Sequence, residues 1–352
     1  MIGEKRNIFL DASTIFKGLK IAITLSLLFS AVLILMTFEP ETLIYALNSL
    51  SPVIILEILV LLLINFVAAG LEFTITVSLI GHHISILDGV KLYLAGAFIS
   101  NVTPMATGGG PFQIYFLHKR GIPIGQSTMV ILTKFLLRLI FFTFFSIIFF
   151  IFFNKLISPG VLPRSVFYLG IGAGFLIAIS LILFSIVPAI SDKLLNFLFK
   201  IEKLRKFIRK NYKIKKFVVK GRKELREFHK SMKLLTENKG KLALAALTTI
   251  LYWSSLYMII PVILRGLGYE PNYLRAYVMQ TILNMVIPYF PTPGASGVAE
   301  LGFASIFVSF IPRGIIGIVT FFWRFVTFYL ILIIGSIFVV REMGWKRRKA
   351  DG

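Results

Sequence analysis

The sequence predicts an all-α polytopic membrane protein built from an inverted-topology repeat, and three observations lead to this fold class. First, 57% of the 352 residues are hydrophobic and the mean hydropathy is +0.85, whereas about 45–50% is usual for soluble domains. Second, several apolar runs reach the roughly 20 residues that cross a bilayer core. Third, two long apolar segments contain similar Pro/Gly breaks, at 104–111 and 291–297.

Six uninterrupted apolar runs predict about six full transmembrane helices. In chain order they lie at 19–38, 53–80, 126–153, 165–190, 242–264 and 314–340. The first run is too long for a secretory signal and lacks a small-residue cleavage site, so we interpret it as a retained helix. The segments 90–118 and 273–311 contain the breaks and predict two re-entrant helical hairpins. Eight kinked transmembrane helices are the alternative.

The charge distribution predicts how the chain crosses the membrane. The formal net charge is +22, and residues 191–241 alone hold 18 Lys and Arg against 5 Asp and Glu. Basic segments stay in the cytoplasm. We therefore expect a multi-pass plasma-membrane protein with both termini in the cytoplasm. Its parts are a first membrane repeat at 1–190, a basic cytoplasmic connector at 191–241 and a second membrane repeat at 242–352.

This path gives the two halves of the chain opposite orientations. The first hairpin enters from the cytoplasm, because basic residues follow it at 118–120, and the second enters from the outside. Proteins with inverted repeats bind their substrates near the midplane, where the broken helices meet. The sequence therefore predicts a midplane site between the two breaks.

The connector carries an apolar stripe at helical spacing. Its members are Ile214, Val218, Gly221, Leu225, Phe228, Met232 and Leu235. Such a basic amphipathic helix is typical of segments that lie on an anionic leaflet. The alternative is a helical linker packed against the membrane domain.

The two breaks repeat at a nearly constant offset. Three matched pairs lie 187 positions apart and one lies 186 apart: Pro104 with Pro291, Gly110 with Gly297, Gln113 with Glu300, and Arg138 with Arg324. A single matching pair would mean little, because Pro and Gly are common in membrane loops. The ordered set indicates an internal repeat.

The repeated arginines are the first candidates for ligand binding. An arginine in mid-helix costs about 2.5–3.5 kcal/mol, so Arg138 and Arg324 must face a partner or a polar cavity. A guanidinium binds phosphate through two parallel hydrogen bonds, which suits a lipid headgroup, and Lys134 adds charge one turn before Arg138. The alternative is internal pairing with Glu57, Glu72 or Glu300.

The breaks supply further candidate substrate-binding residues. A helix that starts inside the membrane exposes backbone N–H groups that attract anions, and glycine lets a ligand approach the backbone closely. Polar side chains near the breaks can add contacts. The candidates are Asn101, Pro104, Gly108, Gly109, Gly110, Gln113, Asn284, Pro291, Pro293, Gly294, Ser296, Gly297 and Glu300, with Thr103 and Thr292 beside them.

The sequence lacks the residues that a metal site or a P-loop needs. The chain has no cysteine and only four histidines, so a metal site is not expected. No Gly-x-x-x-x-Gly-Lys-Ser/Thr motif occurs, which excludes ATP hydrolysis by a P-loop. We expect no catalytic residue and no cofactor, and therefore a protein that is not an enzyme.

The Pro-x-Pro-Gly-x-x-Gly-x-x-Glu pattern at 291–300, the looser break at 104–111 and the arginine after each resemble the transmembrane region of lysylphosphatidylglycerol synthases, a flippase-like family. The resemblance covers nearly the whole chain. It implies binding and translocation of an anionic or modified phospholipid, or of a polyprenyl-phosphate-linked lipid. In the bacterial enzymes a soluble synthase domain follows this region. Because the chain ends at Gly352, we do not expect aminoacyl transfer.

Two other functions stay open at this point. The protein can be a membrane component or enzyme of a polyprenyl-phosphate glycan or lipid-modification pathway, although the loops contain no Asp-x-Asp pair. It can also be a scaffold for a separate synthase or glycosyltransferase, with the basic connector as the docking surface. In every case the expected partners are membrane lipids with anionic headgroups, and not nucleic acid.

Overall fold

The computed structural model describes residues 51–153, 238–287 and 290–350, together with isolated positions at 20–32, 172–183 and 221–237. These residues form helices and turns, and no strand occurs among them. The α-helices are α1 Pro52–Leu79, α2 Ile86–Val102, α3 Gly109–Lys119, α4 Ile124–Phe153, α5 Lys239–Tyr257, α6 Ile259–Gly266, α7 Tyr273–Val286, α8 Val298–Phe307, α9 Arg313–Arg324 and α10 Leu330–Ala350.

Four helical stretches in the described part of the chain are long and apolar enough to cross a membrane. They are Pro52–Leu79, Ile124–Ile148, Lys239–Gly266 and Arg313–Glu342. They match four of the predicted runs and confirm the all-α membrane fold class. The other two predicted runs, 19–38 and 165–190, lie largely outside the described residues.

Each interrupted segment forms two short helices joined by a turn. The helices α2, α3, α7 and α8 have 17, 11, 14 and 10 residues, which is fewer than the about 20 that span a bilayer. Within each segment the two helices pack against each other. This helix–turn–helix shape is the one that a re-entrant hairpin needs, while re-entry into the membrane and the opposite orientation of the two halves stay predictions.

The turns in the two hairpins are alike, but their register differs from the one that the sequence comparison gave. A 3₁₀ turn begins at Pro104 in the first hairpin and at Pro293 in the second, so the offset is 189 and not 187. The matching of Pro104 with Pro291 was therefore wrong by two residues. Left-handed backbone follows each turn-starting proline, with φ of 53° and 54° at Met105 and Ala106 and of 61° and 49° at Gly294 and Ala295.

The core has two clusters that share helices. One is built mainly from α6, α7, α8 and α9, and it also contains Leu62 of α1. The other is built mainly from α1, α2 and α3, and it includes Phe328 and Leu332 from the C-terminal half of the last span. The first and last described spans thus contribute to both clusters and join the two hairpins into one packed interior.

The helices α1 and α2 cross at a contact between two glycines. A Cβ atom added to Gly89 would overlap the carbonyl oxygen of Gly70, and one added to Gly70 would lie 2.8 Å from the carbonyl of Ile86. Small residues allow such backbone contact between membrane helices. The first hairpin is therefore fixed closely to the first described span.

The connector packs against the membrane domain. Its described positions between 221 and 237 include helical residues, and the buried Phe228 lies against Leu79 and Met129. The Glu224 carboxylate accepts a 2.7 Å hydrogen bond from the backbone N–H of Gly125. These contacts are the ones that the packed-linker interpretation predicts, and they are compatible with a basic face turned toward an anionic leaflet. The basic side chains of Lys223, Arg226, Lys230 and Lys233 are exposed, and positions 214, 218, 232 and 235 lie outside the described residues.

Candidate functional site

The two hairpin turns contact each other, with the first turn exposed at 104–106 and the second buried at Pro293 and Ala295. The turn at 104–106 contacts the turn at 293–295, and Gly294 has φ of +61°. A Cβ atom at Gly294 would overlap the ring of Phe328 and would lie 3.2 Å from the carbonyl oxygen of Asn101. The lack of space beside Phe328 requires glycine here, and the left-handed backbone favours it. The breaks thus converge as the sequence predicts.

Arg324 forms a buried ion pair at the second break. Its Nε donates to Glu300 Oε1 at 2.7 Å, and its Nη2 donates to the carbonyl of Gly294 at 3.1 Å and to the Ser296 hydroxyl at 3.4 Å. Arg324 is 5% exposed and Glu300 is 0% exposed. The internal pairing that the sequence left as an alternative is therefore present at this arginine.

The same glutamate also caps a helix. Glu300 lies in the first turn of α8, and its Oε2 accepts a 2.7 Å hydrogen bond from the backbone N–H of Gly297. A carboxylate at a helix N-terminus is stabilised by the exposed N–H groups and by the helix dipole. Glu300 therefore connects the second break to Arg324 on α9. The Arg324 guanidinium is bound by groups of the protein itself.

A second buried ion pair joins three of the spanning helices. Lys134 Nζ of α4 lies 2.9 Å from Glu72 Oε2 of α1, and Glu72 Oε1 accepts a 2.7 Å hydrogen bond from Thr249 of α5. The Lys134 ammonium also lies 3.1 Å from the centroid of the Phe73 ring. Lys134 and Glu72 were both candidates from the sequence, but they were not predicted to pair with each other.

Arg138 lies one helical turn beyond Lys134. Its guanidinium carbon is 5.2 Å from the ring centroids of both Phe142 and Trp253, which is within the range of a cation–π contact. Lys134 and Arg138 are on the same face of α4, because residues four apart are neighbours on a helix. Two cations therefore lie side by side within one span.

Polar groups that the sequence analysis missed lie at the junction of α1, α2 and α5. The hydroxyls of Tyr93 and Tyr252 are 3.2 Å apart, and Asn65 donates to the backbone carbonyl of Tyr252 at 2.9 Å. Asn65 also donates to the Ser255 hydroxyl at 3.3 Å. A signal for this cluster was available, since Asn65 is a polar residue in the middle of the apolar run 53–80.

The glycines of the first break pack the hairpin instead of facing a cavity. A Cβ atom at Gly108 would meet the side chains of Thr103 and Ile99, and one at Gly109 would overlap the Ser100 hydroxyl. Gly110 has more room, since its nearest contact would be Ile131 at 3.7 Å. These close approaches hold α3 against α2.

The remaining predicted residues are dispersed. Gln113 lies inside the first hairpin, with its amide nitrogen 3.5 Å from the carbonyl of Leu92. Asn284 donates to the carbonyl of Gln280 in its own helix at 2.9 Å. Pro104 and Pro291 are exposed and Pro293 is buried. Within the described ranges, no group of three or more His, Asp or Glu side chains could hold a metal ion.

Together these features define a polytopic helical membrane protein with two converging breaks and ion pairs buried inside its spans. The family model described as the lysylphosphatidylglycerol synthase TM region matches residues 21–335, and the chain belongs to this family. It is similar to a UPF0104 membrane protein of Archaeoglobus fulgidus, with 28% identity over 263 residues that cover 74% of this chain and 77% of that protein. No solved structure matches the chain.

Proposed function

We propose that the protein moves the headgroup of an anionic lipid across the bilayer interior by binding its phosphate to cations inside the spans. The cargo is an anionic or modified phospholipid, or a polyprenyl-phosphate-linked lipid. One observation carries the proposal. Lys134 and Arg138 lie one turn apart on a transmembrane helix, and Lys134 is neutralised by a glutamate from another helix.

The energetics of buried charge favour a functional role for these residues. A buried ion pair often contributes no more stability than well-packed apolar side chains of similar volume. Ionisable groups inside membrane helices typically mark substrate pathways. The Lys134–Glu72 pair therefore favours a role in ligand binding over a purely structural role in holding α1 to α4.

The two ion pairs suit different tasks. Arg324 is held by Glu300, Gly294 and Ser296 together, and the Arg324 and Glu300 side chains are 6% and 0% exposed. The Lys134 side chain is 15% exposed. We assign Arg324 to holding the second break in place and Lys134 with Arg138 to binding phosphate.

Exchange of anions explains how such a site can release its ligand. In the resting state Glu72 neutralises Lys134, and an arriving phosphate takes its place while Glu72 keeps the hydrogen bond from Thr249. Lys134 then has an anionic partner in both states. The displaced Glu72 loses its cation, which is unfavourable, so the phosphate must bind Lys134 and Arg138 together to offset that loss. The movement is passive or follows a gradient, and the proposal includes no bond-making step.

The test is reconstitution into vesicles with a fluorescent anionic lipid whose transbilayer movement is followed by chemical quenching from outside. We expect Arg138→Gln to slow the movement at least about tenfold, since a charge-assisted bond contributes about 1.5–3 kcal/mol. Arg265→Gln is the matched control, because Arg265 pairs with Glu57 at a side chain 46% exposed. Equal rates for wild type and Arg138→Gln would overturn the proposal.

A scaffold function is the second candidate, and the exposed basic side chains of the connector favour it. Lys223, Arg226, Lys230 and Lys233 follow a 3-4-3 spacing, which places them on one helical face away from the buried Phe228. An acidic surface on a separate synthase or glycosyltransferase would complement this stripe. Changing the four residues to Gln would release such a protein from the purified complex without slowing lipid movement, whereas the translocation proposal alone predicts no loss of a bound protein.

A further inference from the structure

We propose that an apolar cavity between α4 and α7 binds a hydrocarbon chain of the lipid whose phosphate binds at Lys134 and Arg138. This inference rests on the proposed function and adds a second subsite to it. The cavity has a volume of about 250 Å³. Its walls include Phe145 and Ile148 of α4 and Leu274, Val278 and Ile282 of α7.

The cavity lies at a suitable distance from the cations. Arg138 and Phe145 are seven residues apart on α4, so they share one face and are separated by about 10 Å along the axis. Aromatic rings lie along α4 between Arg138 and the cavity. Phe142 lies 4.7 Å from Trp253, and Phe145 lies 5.5 Å from Tyr277, measured between ring centroids. A lipid with its phosphate at Arg138 can therefore place a chain in the cavity.

The polar side chains in the wall already have partners inside the protein. The Ser146 hydroxyl donates to the sulfur of Met285 at 2.9 Å, and the Thr281 hydroxyl donates to the carbonyl of Tyr277 at 3.0 Å. The Tyr277 hydroxyl lies 3.1 Å from that of Ser254. A polar ligand would find few groups to bind, whereas a hydrocarbon chain needs none and gains dispersion contacts with the apolar walls. The wall chemistry thus selects hydrocarbon.

This arrangement separates two tasks. The cations bind the headgroup phosphate, and the cavity holds a chain while the headgroup moves. Headgroup recognition then depends on charge, and retention of the lipid depends on chain length. A variant that fills the cavity should therefore affect long-chain lipids alone, which distinguishes it from a variant at Arg138.

The experiment uses the full-length protein and phosphatidylglycerol as the probe. Leu274→Trp fills the cavity from a side chain that is 48% exposed, so folding is expected to tolerate it. Val278→Phe fills it from the buried wall and serves as the second variant. Ile147→Trp is the matched control, because Ile147 is 42% exposed on α4 and is not part of the wall.

Two readouts separate the outcomes. We expect Leu274→Trp to slow the movement of dioleoyl-phosphatidylglycerol several-fold and to leave dihexanoyl-phosphatidylglycerol unchanged, with Ile147→Trp equal to wild type for both. Equal effects on both lipids, or none, would overturn the chain subsite. If wild type moves neither lipid, the proposed function fails. The chain subsite is then tested by native mass spectrometry. Leu274→Trp must retain less dioleoyl lipid than Ile147→Trp, and equal retention would contradict the chain subsite.

Discussion

Removal of Arg324 should destabilise the protein far more than removal of both members of its ion pair. In Arg324→Met, the Glu300 carboxylate keeps the hydrogen bond from Gly297 but loses the guanidinium that lies 2.7 Å away. Glu300 is fully buried, so its charge cannot be hydrated. Loss of one partner of a buried pair costs about 3–5 kcal/mol. The melting temperature should fall by roughly 4–7 °C.

The double variant Glu300→Gln with Arg324→Met removes the uncompensated charge. The side-chain oxygen of the introduced glutamine can still accept the hydrogen bond from Gly297, so most of the lost stability should return, to within about 1–2 kcal/mol of wild type. Thermal unfolding in detergent measures the difference by tryptophan fluorescence, to which Trp323 contributes from its position 4.7 Å from the Phe303 ring beside the pair. A single variant as stable as wild type, or a double variant no more stable than the single one, would refute this reasoning.

Three further predictions concern other contacts. Lys134→Met should lower the melting temperature because it leaves the buried Glu72 charge without a cation. Adding Glu72→Gln to the same chain should restore most of the lost melting temperature. Gly294→Ala should destabilise the protein by more than about 1 kcal/mol because of the positive φ at this residue and the overlap with Phe328. Gly240→Ala is the control, because its Cβ would meet nothing within 4 Å. It should be neutral or stabilising in the same unfolding assay. Phe228→Ala should speed hydrogen exchange in the connector, and unchanged exchange would show that this side chain does not anchor it.

The spans could be predicted because they depend on composition alone. An apolar run of about 20 residues has few alternatives to a membrane helix, and the runs at 53–80, 126–153, 242–264 and 314–340 correspond to the four described spans. The boundaries differ by a few residues, since helix caps such as Ser51 are set by local hydrogen bonds.

The register of the repeat was recognised only from the backbone geometry. Proline positions suggested an offset of 187, but the turns are defined by left-handed residues after Pro104 and Pro293. The sequence does contain the correct signal, since Thr-Pro-x-Ala-Ser/Thr-Gly begins at Thr103 and again at Thr292. A motif of this length carries more information than isolated prolines, which recur in many turns.

The partners of the buried cations could be predicted only in part. Glu300 is 24 residues from Arg324 in the same half of the chain, and the sequence named it as a candidate partner. Lys134 pairs instead with Glu72 on another span, and that choice depends on how α1, α4 and α5 pack. Helix packing is not encoded in the spacing of residues along one helix, so pairing across helices needed the structure.

A map of the protein with co-purified or added anionic lipid tests the central claim most directly, namely that cations inside the spans bind lipid phosphate. We predict phosphate density within hydrogen-bonding distance of Lys134 or Arg138, with the Glu72 carboxylate moved away from the ammonium. Lipid found only on the outer surface of the spans, with the Lys134–Glu72 pair intact at every anionic-lipid concentration, would contradict it.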